Sequence, residues 1–393
     1  MEKQLASRLF SKVATGGIQI TYWDGSVESY GPDKPYLHVR LKTPAVLREI
    51  ARKASVGVGE AYMRGDLEVD EPIDQLIRFS SDNKAAYGSL GSFKGVRALR
   101  SYTRNHRSHQ KQQIAHHYDI GNDFYKLWLD ESMTYSCAYF KKASDSLELA
   151  QKQKVDHLLR KLQLKKGQTM LDIGSGWGTL AIQAALQYGA RVTGISLSEE
   201  QVKYSKEAAK RAGVSKQVTF KLMNYQDLAE TGKVFDRIIS VGMFEHVGRR
   251  NQHEYFKAVN KMLVNGGVSV LHTISHEFEA PPDPWIQKYI FPGGYIPSIR
   301  QVVGALPDHD FHIVDFENLR MHYAMTLDIW RKRFAKNRPV VEKMFDEQFC
   351  RMWEFYLGTS SGSFRYGELS LSQIVFTKGL NNDLPLTRDF LYK

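Results

Sequence analysis

The chain has 393 residues, 42% hydrophobic and 25% charged, an ordinary globular composition with room for about two or three domains. No apolar run approaches the roughly 18 residues of a membrane-spanning helix and no signal-peptide pattern follows Met1, so a cytoplasmic protein is expected. Two cysteines, Cys137 and Cys350, are too few for a disulfide framework and form no Cys/His cluster that would suggest zinc, while 54 Lys and Arg against 43 Asp and Glu, a net +11, favour an anionic partner without choosing between nucleic acid and acidic lipid.

In chain order, residues 18–23 and 36–42 read as short strands separated by the turn residues Gly25, Gly31 and Pro32. A short helix follows Pro44, then a turn-like stretch at 57–65 and a helical one at 72–79. Together these predict a small N-terminal α/β domain over residues 1–85. Between Asp82 and Asp119 there is no acidic residue, and Lys94, Arg97, Arg100, Arg104, Arg107 and Lys111 recur at three- and four-residue steps. If helical, this basic linker (86–112) carries a positive stripe, either as a solvated connector or as a surface for anionic headgroups; Gly95 weakens the helix. From residue 113 to 393 the pattern alternates. Strands are expected at 169–173, 191–195, 218–222, 235–241, 268–273, 312–316 and 373–377, with helices at 147–162, 179–188, 199–212 and 253–263. That alternation predicts an α/β fold with a mostly parallel sheet covered by helices. Residues 281–297, rich in Pro, Gly and aromatics, suit an irregular cap.

The strand at 169–173 runs into Leu171-Asp172-Ile173-Gly174-Ser175-Gly176-Trp177-Gly178-Thr179. Glycines there permit a tight turn and close approach of a nucleotide-type ligand before a helix begins. The GxGxG spacing, and Gly194 to Ser196 where a dinucleotide fold would place an acid for the ribose, disfavour NAD. Asp172 instead resembles the strand-end acid of class I S-adenosylmethionine-dependent methyltransferases, a Rossmann-like fold with helices on both faces. In that arrangement Ser196, Leu197, Ser198 and Gln201 would lie near ribose and methionine, and Asn224, Tyr225 and Gln226 near adenine.

Beyond the glycine loop the sequence resembles the cyclopropane-fatty-acyl-phospholipid synthase family, which includes the mycolic acid cyclopropane synthases. The resemblance is carried by His117-Tyr118-Asp119-Ile120-Gly121-Asn122-Asp123-Phe124-Tyr125, Tyr135-Ser136-Cys137-Ala138-Tyr139-Phe140, Phe244-Glu245-His246-Val247-Gly248, Leu271-His272-Thr273-Ile274, Phe291-Pro292-Gly293-Gly294-Tyr295-Ile296-Pro297-Ser298 and His322-Tyr323-Ala324-Met325-Thr326-Leu327. It implies an S-adenosylmethionine-dependent catalytic domain, with Tyr135 and Ser136 added to the cofactor residues, and a bicarbonate site at Cys137, Glu245, His272, Ile274 and Tyr323, to which Cys137 and Ile274 contribute backbone amides. The implied reaction joins the sulfonium methyl to an alkene, leaving a carbocation that loses a proton from that methyl and closes to a cyclopropane. Bicarbonate would take the proton, held by Tyr323 and His272, with its O–H given to Glu245. The resemblance further implies unsaturated phospholipid acyl chains as substrate, an N-terminal domain that helps dock on lipid, peripheral attachment at the inner face of the cytoplasmic membrane, and a homodimer. Trp285, Tyr289, Phe291, Tyr295 and Tyr356 are the aromatics expected near the acyl chain. A methylated or methylenated product from the same site, a nucleic-acid methyltransferase and a silent lipid-binding protein are the competing readings; no base-reading motif supports the nucleic-acid one.

Overall fold

The computed structural model describes residues 2–86 and 120–392. The basic stripe from Lys94 to Lys111 and the His117-Tyr118-Asp119 start of the first family motif lie outside the described residues. Two compact units are formed, one from 2–86, 281–292 and 327–368, the other from 120–280, 293–326 and 369–392.

In the first unit, β1 (Ile18–Thr21), β2 (Val27–Tyr30), β3 (Leu37–Leu41) and β4 (Leu67–Val69) form a sheet of order β2-β1-β3-β4. Alternation sets its inner face: Ile18 and Ile20 of β1, and Leu37, Val39 and Leu41 of β3, are buried. The stretch expected to be turn-like is a helix, Ser55–Met63. Its glycines serve close packing rather than turning, since a Cβ on Gly57 would stand 2.4 Å from the Glu49 carbonyl oxygen and one on Gly59 2.3 Å from the Trp285 ring. That contact outweighs the roughly 1 kcal/mol of helix propensity each glycine forfeits. Trp285 packs edge-on to Phe355 and beside Tyr289, and Phe291 edge-on to Tyr356.

In the second unit, β5 (Thr169–Ile173), β6 (Arg191–Ser196), β7 (Val218–Leu222), β8 (Phe235–Val241), β9 (Leu263–His276), β10 (Phe311–Asn318) and β11 (Leu369–Lys378) form a sheet of order β10-β11-β9-β8-β5-β6-β7. The five strands β5 to β9 run parallel, and β11 is antiparallel to both β9 and β10. Adjacent residues face opposite cores: Met170 and Val270 join Leu158, Leu180 and Val192, whereas Leu171, Ile173 and Leu271 join Ile238, Phe256 and Val259. Helices therefore cover both faces. This is the class I Rossmann-like S-adenosylmethionine methyltransferase fold, with the small N-terminal α/β sheet beside it in sequence.

The chain reverses its strand order at β5, which has β6 on one side and β8 on the other. Open α/β sheets bind ligands at the carboxyl ends of strands at such a point. Gly178 begins the helix Thr179–Tyr188 there with φ +91°, and a Cβ on it would lie 2.7 Å from both Phe220 and Ser205. Gly178→Ala should lower stability by about 2 to 4 kcal/mol through backbone strain and overpacking, read as a lower denaturant midpoint with an unchanged slope. An unshifted midpoint would refute this account.

Candidate active site

The turn after β5 is built by its own backbone. Gly174, at φ +82°, leaves no room for a Cβ, which would meet the Met243 side chain at 2.8 Å. The amides of Gly174 and Ser175 both donate to the Ile195 carbonyl on β6 (2.9 and 3.0 Å), so the loop folds back over the strand end. A cavity opens at that end, lined by Tyr135, Ser136, Asp172, Gly174, Ser175, Gly176, Ser196, Leu197, Gln201, Asn224 and Tyr225. Three residues expected to touch the cofactor are not in its lining. Gly178 caps the helix described above, the Ser198 hydroxyl caps Glu199–Arg211 by accepting from Gln201 N–H (3.3 Å), and Gln226 N–H is held by Asn224 Oδ1 (2.9 Å), the cap of Tyr225–Glu230. Ser196 donates to Gln201 Oε1 at 2.8 Å, a polar pair on β6 where a dinucleotide fold would carry an acid.

Lys154, Trp177, Met243 and His246 also line the cavity, and none of them is among the cofactor residues expected from the sequence. Lys154 belongs to a buried polar stripe, Gln151, Lys154, His157 and Lys161, on the helix Leu147–Lys161. Each member has a polar partner: Gln151 donates through Nε2 to the Ser136 carbonyl (2.8 Å), Lys154 to Ser136 Oγ (3.0 Å), and His157 and Lys161 both meet Glu317 (2.6 and 2.5 Å). From sequence, polar residues at three- and four-residue steps are indistinguishable from a solvated face. Burial lowers Lys154 to about 8 and raises Asp172 to about 7, the nearby Lys154 charge opposing the latter shift.

A second cluster sits where β9 outruns β8. Strand β8 ends at Val241, paired with His272, but β9 continues to His276 against β11. Glu245, in the turn after β8, fills the gap: its Oε1 accepts the Ile274 N–H at 2.6 Å. That amide, which the resemblance assigns to the anion, is thus engaged by Glu245. The other carboxylate oxygen, Oε2, is sealed from solvent and has no hydrogen-bond partner among the described residues, and the same is true of His272 Nε2. Burial raises Glu245 to about 7, against the pull of the Ile274 amide, and holds His272 well below its ordinary value, so its ring is neutral. Tyr323 lies in the first turn of the helix Arg320–Met344. Cys137 is buried, and burial pushes its thiol up, away from the thiolate a nucleophile needs. The next residue, Ala138, gives its N–H to Thr326 Oγ1 (3.0 Å), and Phe140 gives its own to His322 Nδ1 (3.0 Å), tying the 135–140 motif to the 322–327 motif. Tyr295 donates its N–H to the Glu245 carbonyl (2.8 Å).

The family described as mycolic acid cyclopropane synthetase matches residues 105–374. The chain belongs to the cyclopropane-fatty-acyl-phospholipid and mycolic acid synthase family. It is similar to the cyclopropane-fatty-acyl-phospholipid synthase of Escherichia coli K12, 39% identical over 356 residues that cover 89% of this chain and 90% of that protein. A probable fatty acid methyltransferase of Pseudomonas putida is 34% identical over 390 residues, 96% of each chain. Among solved structures, the mycolic acid cyclopropane synthase CmaA1 complexed with SAH and CTAB matches with a TM-score of 0.64 and 31% identity, covering 68% of this chain and 98% of that one. A domain of unknown function matches residues 5–89. As a member of the synthase family, the protein is an S-adenosylmethionine-dependent fatty-acyl methyltransferase or cyclopropane synthase. Among the described residues, no helix is long and apolar enough to cross a membrane.

Proposed function

We propose that the protein makes cyclopropane fatty acids by methylene transfer to the cis double bond of unsaturated acyl chains in membrane phospholipids, with bound bicarbonate as the base. The observation that carries the bicarbonate reading is that Glu245 Oε2 and His272 Nε2 are both sealed and have no hydrogen-bond partner among the described residues. A buried polar group without a partner costs about 1 to 3 kcal/mol, and a small oxyanion bearing one O–H satisfies both, accepting from the imidazole and donating to the carboxylate. S-adenosylmethionine supplies the electrophilic methyl when bound, and bicarbonate the proton acceptor.

The chain's own groups then have defined tasks. Asp172 and the glycine loop receive the cofactor's charged end, Ser196 and Gln201 its ribose, and Asn224 and Tyr225 its adenine; the relative solved with SAH supports a nucleoside ligand in this fold. Glu245 and His272, joined by Tyr323 and the Cys137 backbone, orient the base, while Ile274 acts through Glu245 by fixing its carboxylate. Glu245 Oε2 and His272 Nε2 are sealed from solvent, in keeping with the protection from water that a carbocation requires. Residues 1–85 form a lipid-docking domain, 86–112 a basic linker and 113–393 the catalytic domain of a homodimer working peripherally at the inner face of the cytoplasmic membrane. The 39% identity to a phospholipid synthase supports the bulk-lipid substrate.

Mass spectrometry of unsaturated phospholipid vesicles incubated with protein, S-adenosylmethionine and bicarbonate tests this reading. The expected result is a gain of CH₂ with a saturated, ring-bearing chain. A methyl-branched or methylenated chain would move the product to the methyltransferase side of the family, and unchanged lipid would sink the phospholipid assignment.

A further inference from the structure

Gln373 on β11 stands directly across from His272 on β9, and Glu317 on β10 stands across from Gln373. Directly opposed residues share a sheet face, so these three form a polar row across β9, β11 and β10. Gln373 is fully buried, with Leu371 and Val375 two residues away on the same face of β11, and an amide is costly there unless its hydrogen bonds are used. Its Nε2 donates to His272 Nδ1 at 3.1 Å. A ring nitrogen that accepts carries no proton, and a neutral imidazole has one proton to place. The proton is therefore on Nε2, the atom without a hydrogen-bond partner among the described residues. Two residues on, the Ile274 N–H occupies Glu245 Oε1 and leaves Oε2 as the second such atom. His272 Nε2 and Glu245 Oε2 thus present one donor and one acceptor, and Gln373 Oε1 is a further buried acceptor without a hydrogen-bond partner among the described residues.

We infer that Gln373 is a positioning residue that holds His272 as the Nε2–H tautomer, so that the site selects an anion able both to accept and to donate a hydrogen bond, hydrogencarbonate, over acceptor-only anions such as nitrate. The selectivity rests on the bicarbonate reading above; the tautomer does not. An acceptor in place of the Gln373 amide nitrogen would draw the proton to Nδ1. His272 Nε2 and Glu245 Oε2 would then both be acceptors, and an anion between them would have a single hydrogen to satisfy two lone pairs.

The test uses full-length protein labelled with ¹⁵N-histidine, long-range ¹H–¹⁵N correlation spectra, and sodium bicarbonate or sodium nitrate as probe. The wild-type His272 ring is expected protonated at Nε2 and bare at Nδ1. In Gln373→Glu, which keeps the shape and reverses the hydrogen-bond sense, the proton moves to Nδ1. Turnover in Gln373→Glu and Gln373→Met falls on the order of 10- to 100-fold, as for other residues that orient a working histidine, with KM for S-adenosylmethionine unchanged, and nitrate does not replace bicarbonate. A wild-type ring protonated at Nδ1 would overturn the inference without any variant having to fold, and so would wild-type turnover in Gln373→Glu. An Nε2-protonated ring in an enzyme whose rate ignores bicarbonate depletion would sink the bicarbonate reading and the selectivity with it, and leave the tautomer standing.

Discussion

Glu245→Gln is expected to lower turnover by about 10²-fold or more, the scale on which a displaced general base acts, with cofactor affinity close to wild type. The carboxylate has two separable jobs. Oε1 holds the Ile274 amide and fixes the side chain where β9 runs on past β8, while Oε2 waits as an acceptor. A glutamine can keep the first contact through its carbonyl oxygen, but it then offers an NH₂ where an acceptor is needed. The pH dependence follows from the same geometry. Burial places Glu245 at about 7, and the charged form is the acceptor, so turnover should rise as pH increases through about 7 and the variant should lack that limb. A pH–rate profile for kcat at saturating cofactor checks both statements; an unaltered acid limb in Glu245→Gln would assign it to another group.

Asp172→Asn is expected to weaken S-adenosylmethionine binding by about 10- to 100-fold, corresponding to the roughly 1.5 to 3 kcal/mol of a hydrogen bond to a charged group, measured by calorimetric titration. Asp172 is buried with its pKa raised to about 7, and Lys154, lowered to about 8, is the charged neighbour. A cationic ligand favours the ionised carboxylate, so wild-type affinity should climb as pH rises towards about 7 and flatten above it, whereas the variant shows no such climb. Stability runs the other way. The folded pKa lies above the unfolded one, so between about 4 and 7 the folded state binds the extra proton, and stability falls as pH rises through that window. Above it the protein carries a buried charge that asparagine removes, and Asp172→Asn should unfold at higher denaturant than wild type while binding cofactor less well. A variant that lost both would mean that Asp172 supports the fold rather than the ligand.

Much of this site is legible in the sequence. The strands Thr169–Ile173, Val218–Leu222 and Phe235–Val241 and the helix Thr179–Tyr188 occur at the expected residues, because apolar runs bounded by Gly and polar turns report their own limits. Family motifs point to Glu245 and His272, and each has one sealed atom without a hydrogen-bond partner among the described residues. The helices Glu2–Phe10, Arg320–Met344 and Glu347–Arg365 were not foreseen. Arg320–Met344 contains Pro339 and Glu347–Arg365 contains Gly358 and Gly362, residues that normally interrupt a helical pattern. Gly358 and Gly362 instead admit Ile73 and Ile77, which a Cβ would crowd at 2.7 to 2.8 Å.

The sequence by itself determined what its local periodicity and turn chemistry encode: the alternating strands and helices, the strand-end glycine loop, the acid before it, and the identity of the residues in the family motifs. Only the tertiary structure decided that β9 runs on past β8 to expose one amide to Glu245, that Gln373 comes to lie across from His272 a hundred residues away, and that Lys154 and Lys161 are buried rather than solvated. The reason is that strand length, register and burial are set by pairing between segments distant in the chain. A lysine at a helical step reads the same whether water or a carboxylate awaits it.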